Sequence, residues 1–110
     1  MPGGLLRLCA MESIPEGQAR RVETAVADFA VFNLGGAFFV TANACTHGPG
    51  NLGHGPVQGG EVVCEAHGGR FDIRSGRATR LPCTEALMVW EAVLRDDAVW
   101  IDFAAGRVAD

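Results

Sequence analysis

No lysine occurs in this chain of 110 residues: its nine cationic side chains are all arginines, and only Arg20 and Arg21 are adjacent. With 13 acidic side chains and a formal net charge of −4, it offers neither a basic stripe for a phosphate backbone nor a polybasic patch for an anionic membrane. Long apolar runs are missing too. No window approaches the ~20 residues that a membrane-spanning helix requires, and the first residues, Met1-Pro2-Gly3-Gly4-Leu5-Leu6-Arg7, put no basic segment ahead of an apolar one. The expectation is a cytoplasmic protein with no nucleic-acid or membrane partner. There is no sustained helical period, no internal repeat, and no flavin or nucleotide fingerprint.

What is present fits one compact domain over residues 1–110. A composition 48% hydrophobic and 20% charged is that of an ordinary globular chain, and this length builds one modest core. Short β-like runs fill both ends: Leu5–Cys9, Arg20–Thr24, Phe29–Leu34 and Ala37–Thr41, then Leu87–Arg95 and Ala98–Phe103. Gly35-Gly36 and Asp96-Asp97 between apolar runs predict two hairpins. Weak helical turns are expected around Pro15–Arg20 or Ala42–Thr46. Trp90 and Trp100 fall in the C-terminal hairpin, where aromatics serve packing. The whole reads as all-β, a sandwich or small barrel.

The middle differs. Between Cys45 and Pro82 lie most of the 15 glycines, while the apolar runs shrink to Glu61–Cys64 and Arg70–Ile73, with a turn at Ser75-Gly76. Such glycine density marks tight loops around a ligand. In them stand Cys45 and His47, then Cys64 and His67, two Cys/His pairs separated by sixteen residues. A structural zinc site prefers cysteine paired with cysteine and histidine with histidine at one centre, and neither spacing occurs. A Cys and a His that cannot sit at one point suit two neighbouring metal ions. In a [2Fe-2S] cluster, Cys45 and Cys64 would bind one iron and His47 and His67 the other, so that each loop reaches both irons. Two ferric ions, two sulfides and two thiolates sum to zero charge, and such centres accept an electron at about −150 to +300 mV, against about −400 mV with four cysteines. Cys9 and Cys83 read as buried apolar thiols, and His54 as an exposed loop residue.

The pattern C-T-H-G, then C-x-x-H-G-G-R-F-D-x-x-S-G, resembles the Rieske signature, and in particular the small Rieske ferredoxins of bacterial aromatic-ring-hydroxylating dioxygenase systems. Gly48, Gly68, Phe71, Gly76 and Pro82 share in the match, and the flanking hairpins agree in length and placement. The resemblance implies an antiparallel β-sandwich base with a smaller cluster-binding subdomain at its tip, spanning residues 41–82, and one Rieske-type [2Fe-2S] cluster. Respiratory and photosynthetic Rieske proteins add a disulfide between the loops; the corresponding positions here are Gly50 and Ala66. They also carry a serine and a tyrosine whose hydroxyls donate to sulfur, where this chain has Gly69 and Phe71. Removing donors to sulfur disfavours the reduced state, which places the expected potential near the low end, about −150 mV. Backbone N–H groups are the expected substitutes, with Gly48, Gly50, Gly68 and Gly69 as the donors or as the positions whose missing side chains let the main chain approach the sulfides.

By the same resemblance the chain is not an enzyme but a monomeric shuttle. It takes single electrons from an NAD(P)H-dependent flavin reductase and passes them to a terminal oxygenase, both transient partners. The histidine side faces outward, with Pro49, Leu52, Gly69 and Pro82 rimming the docking patch. The alternative is a Rieske-like small subunit of an assimilatory nitrite reductase.

Overall fold

The computed structural model describes residues 4–46, 48, 50–66 and 68–109. His47, Pro49 and His67 lie outside the described residues. In chain order the strands are β1 (Leu6–Ala10), β2 (Gln18–Glu23), β3 (Asp28–Leu34), β4 (Ala37–Ala42), β5 (Val57–Gln58), β6 (Glu61–Val63), β7 (Arg70–Asp72), β8 (Ala78–Arg80), β9 (Met88–Trp90), β10 (Val93–Arg95), β11 (Ala98–Ile101) and β12 (Arg107–Val108). They form three antiparallel sheets, ordered β1-β11-β10, β12-β9-β4-β3-β2 and β5-β6-β7-β8.

Three tight turns set the registers. Gly35 and Gly36 have φ of 64° and 94°, the left-handed pair that a two-residue hairpin needs to match strand twist, and they pair Leu34 with Ala37. Asp96 and Asp97 adopt φ of 53° and 57° without being glycine, which aspartate tolerates better than most residues, and they pair Arg95 with Ala98. Gly59 and Gly60, at 58° and 80°, make a third such turn between β5 and β6. The same Gly-Gly signal stood there in the sequence, hidden by the general glycine density.

The run Phe29-Ala30-Val31-Phe32 explains how the sheets stack. All four residues are fully buried, and since alternate side chains of a strand point to opposite faces, both faces of β3 are apolar. Phe29 and Val31 join one core with Leu8, Ile14, Val40, Trp90, Val99 and Ile101, where β1 and β11 pack. Ala30 and Phe32 join a second core with Leu52, Val62, Phe71, Ile73 and Leu87, toward the sheet β5 to β8. Burying each such large side chain stabilises the fold by about 1.5–3 kcal/mol. Trp90 is fixed in the first core by an edge-on contact with Phe29 at 5.0 Å and by donation from its Nε1 to the Phe103 carbonyl at 3.0 Å. Trp100 donates to the Arg95 carbonyl at 2.9 Å across its own hairpin.

Two expectations are corrected. Helical turns occur not at Pro15–Arg20 or Ala42–Thr46 but as 3-10 turns at Met11–Ser13, Leu52–His54 and Phe103–Ala105. Gln18 to Arg20 pair with β3, and Ala42 pairs with Phe29, so sheet hydrogen bonds claim both segments. The run Leu87–Arg95 is not one strand: β9 belongs to the five-stranded sheet and β10 to the three-stranded one. Alternation alone does not show that a chain changes sheets midway.

The 3-10 turn Leu52–His54 connects the loop region to the base. Leu52 is fully buried in the second core, and a Cβ on Gly53 would collide with the backbone of Arg21 in β2. Gly53→Ala should therefore lower stability by about 1–3 kcal/mol, the typical cost of overpacking, seen as a lower urea midpoint with unchanged slope.

Candidate metal centre

Cys45 follows β4 after a short connection that Asn43 organises. Asn43 is buried; its Oδ1 accepts from the Gly53 N–H at 2.9 Å, its Nδ2 donates to Asn51 Oδ1 at 2.9 Å, and its carbonyl accepts from the Leu52 N–H at 2.9 Å. The loop thus closes on its own base, and the Cys45 N–H donates to the Gly50 carbonyl at 3.2 Å. Cys64 ends β6. Its N–H donates to the Gly69 carbonyl at 2.8 Å and its carbonyl accepts from Gly68 N–H at 2.9 Å, a turn that needs the positive φ of Gly68, 74°.

The motif residues beyond it build the next support. Asp72 Oδ2 accepts from both the N–H and the hydroxyl of Ser75, at 2.9 and 2.7 Å. The turn ends at Gly76 with φ of 79°. Leu87 N–H donates to the Gly76 carbonyl at 2.7 Å, and a Cβ on Gly76 would lie 2.6 Å from the Leu87 carbonyl oxygen. The F-D-x-x-S-G stretch is therefore a fastener for a third loop, residues 81–87, which includes the cis Leu81–Pro82 bond. Thr46 ties this loop to the first one by donating its hydroxyl to the Glu85 carbonyl at 2.8 Å.

These loops bring Cys45 and Cys64 together in the second core, at 7% and 2% exposure. A Cβ on Gly50 would sit 2.9 Å from Cys64 Sγ, 3.4 Å from Cys45 Cβ and 3.9 Å from Ala66 Cβ. Two buried thiols converging on a cradle that a methyl group would fill suit the two-thiolate side of a [2Fe-2S] cluster, whose ligands must be soft and deprotonated. The last distance also bears on the missing disulfide: Gly50 and Ala66 do face each other, at the ~3.8 Å Cβ separation a disulfide would need. The partner ligands expected at His47 and His67 lie outside the described residues.

Cys83 is closer to the site than a merely buried thiol need be. It is 4% exposed, and its Sγ is 3.8 Å from Cys45 Sγ. Burial, the Cys45 hydrogen bond and the neighbouring charges of Cys45 and Cys64 push its pKa up to about 12. Cys9, by contrast, belongs to the other core, where burial raises its pKa against the opposing hydrogen bond of Ser13. His54 is exposed on its turn.

Two glycine and patch expectations change. The Gly68 N–H is committed to the Cys64 carbonyl and so is not aimed at a sulfide. Leu52 and Gly69 are buried and cannot rim a docking patch, because Leu52 fills the second core and Gly69 lies against Cys83. Pro82 is half-buried, and the exposed apolar residue of that loop is Leu81, at 74%. Asn43, Thr46 and Leu81 were not singled out from the sequence. Asn43, two residues before a candidate ligand and beside glycine-rich loops, was a signal that could have been used.

A Cβ on Gly69 would collide with Cys83 Sγ. Gly69→Ala should lower stability and cluster content, and adding Cys83→Ala should restore part of both; the double-mutant cycle should show a coupling of about 0.5–3 kcal/mol, measured by urea unfolding and iron analysis.

Comparison with known proteins places this geometry. The Rieske [2Fe-2S] domain pattern matches residues 4–91. The chain is 36% identical over 106 residues to the ferredoxin component of the p-cumate 2,3-dioxygenase system of Pseudomonas putida, covering 94% of this chain and 90% of that one. Among solved structures, the Sphingomonas yanoikuyae B1 ferredoxin superimposes with a TM-score of 0.86 at 37% identity, over 90% of this chain and 98% of its own. A complex of reduced oxygenase and oxidized ferredoxin in carbazole 1,9a-dioxygenase gives 0.83 at 33% identity, over 89% and 92%. With the thiol pair, the glycine cradle and a match over most of its length, the chain belongs to the Rieske [2Fe-2S] domain family.

Proposed function

We infer that the chain is the ferredoxin component of an aromatic-ring-hydroxylating dioxygenase system, an electron-transfer protein that leaves the oxidation of the substrate to its oxygenase. The observation that carries this is the buried, convergent pair Cys45 and Cys64 in a chain that matches the ferredoxin component of a dioxygenase system over 94% of its length. The Rieske-type [2Fe-2S] cluster of the family supplies one-electron acceptance and donation when bound. Cys45 and Cys64 would hold it by thiolates, and His47 and His67 by imidazole nitrogens. Residues 41–82 would act as its binding subdomain; the separate sheet β5 to β8 supports that division.

The chain's own task is to exclude water and to present one face to its partners. Val62, Phe71, Ile73 and Leu87, all fully buried or nearly so, supply the dry side. The third loop, held to Cys45 through Cys83 and to Thr46 through Glu85, brings the exposed Leu81 beside the site as an apolar docking point. A solved relative sits in a complex with its oxygenase. A flavin-dependent ferredoxin reductase would use the same face in turn, which favours a monomer and a transient interface below about 1,200 Å². The nitrite reductase alternative rests on a structure 15% identical, a likeness of fold alone.

The purified protein should be brown, show the low-g Rieske EPR signal, and restore NADH-driven turnover when mixed with a flavin reductase and a terminal oxygenase of this class. A colourless zinc protein, or one that supports no turnover, would overturn the proposal. His67→Cys should retain a cluster at best with a much lower potential, and an unchanged potential would contradict His67 as a ligand. Leu81→Asp should raise the KM of the oxygenase for the ferredoxin about tenfold, a loss typical of a central apolar contact, and leave the visible spectrum as it was.

A further inference from the structure

We propose that Cys83 is a positioning residue of the redox centre: its S–H donates a hydrogen bond to the Cys45 sulfur and raises the reduction potential. This rests on Cys45 being a cluster ligand. The two sulfurs are 3.8 Å apart, at 4% and 7% exposure, within reach of a sulfur hydrogen bond and shielded from water that could compete for it. In the protein without metal either thiol could donate. Ligation removes that ambiguity, because the ligand form of cysteine is the thiolate. Cys45 is then only an acceptor, and the S–H of Cys83 is the donor beside it.

The surroundings hold Cys83 in that place from three sides. Gly69, by lacking a Cβ, leaves the space Cys83 Sγ occupies. The Cys83 N–H donates to the Arg80 carbonyl at 3.2 Å, and the Thr46 to Glu85 bond ties the Cys83 loop to the loop that bears Cys45. Phe71, fully buried in the same core, is apolar and cannot provide such a donor. An electron added to the centre spreads negative charge onto its sulfurs, and hydrogen bonds to charged acceptors are stronger than neutral ones. A donor on Cys45 therefore stabilises the reduced state more than the oxidised state, which is how hydrogen bonds to sulfur tune such potentials. A thiol that merely filled space would have no such effect.

The test compares Cys83→Val, which keeps the bulk and removes the donor, with Cys83→Ser, which replaces the donor by a hydroxyl, in the cluster-loaded protein by voltammetry and EPR. Cys83→Val should lower the equilibrium constant for reduction against a fixed couple about tenfold, which is about 59 mV for one electron. Cys83→Ser should keep the wild-type value or exceed it. Should Cys83→Val fail to hold a cluster, Cys83→Ala, without donor or crowding, is read the same way. A potential unchanged in the donor-free variant, or equally low in Val and Ser variants, would reduce Cys83 to packing and leave the ligand assignment standing. No Rieske EPR signal in the wild type would overturn the ligand assignment and this inference with it.

Discussion

β3 turns Phe29 and Val31 to one side of the central sheet and Ala30 and Phe32 to the other, so both sides of that strand must be covered. A sheet with one wet face would need a single partner layer; this one needs two. β1 and β11 close one side, and the small sheet β5 to β8 closes the other together with the loops that carry Cys45, Cys64 and Cys83. The site is consequently not an ornament on a finished fold. Its cysteines are members of the second core, and the packing that stabilises the chain also fixes the sulfurs.

Glycine serves this arrangement mainly by what it leaves empty. At Gly50, Gly53 and Gly69 a methyl group would meet Cys64, the backbone of Arg21 and Cys83 respectively. None of these three needs a left-handed backbone, since positive φ values occur elsewhere, at Gly68 and Gly76 among others. Two different requirements therefore share one residue type in the same stretch: close approach at some positions and turn geometry at others. Asn43 and Asp72 supply the complementary polar work, each satisfying backbone donors that the tight loops would otherwise leave without partners.

The scaffold was legible wherever its signal was local. Gly35-Gly36 and Asp96-Asp97 announced their hairpins, and the C-x-x-H-G-G-R-F-D-x-x-S-G pattern announced the Rieske family, because motif spacing is written along the chain. Contacts between distant segments were not legible. The approach of Cys83 to Cys45 spans 38 positions and the Thr46 to Glu85 bond 39, and neither leaves a periodicity or spacing to detect. Leu52 shows the same limit: an apolar residue in a glycine-rich loop resembles a docking contact until the core that absorbs it is seen.

The facing positions Gly50 and Ala66 carry a last consequence. Where a cystine would lock the two loops, this chain relies on packing, the Asn43 network and the third loop, none of which depends on oxidation. Maturation can then proceed entirely under reducing conditions, the same conditions that keep Cys45 and Cys64 as free thiols. No separate oxidant is required to finish the protein, and a reductant strong enough to open a cystine has nothing between these loops to cut.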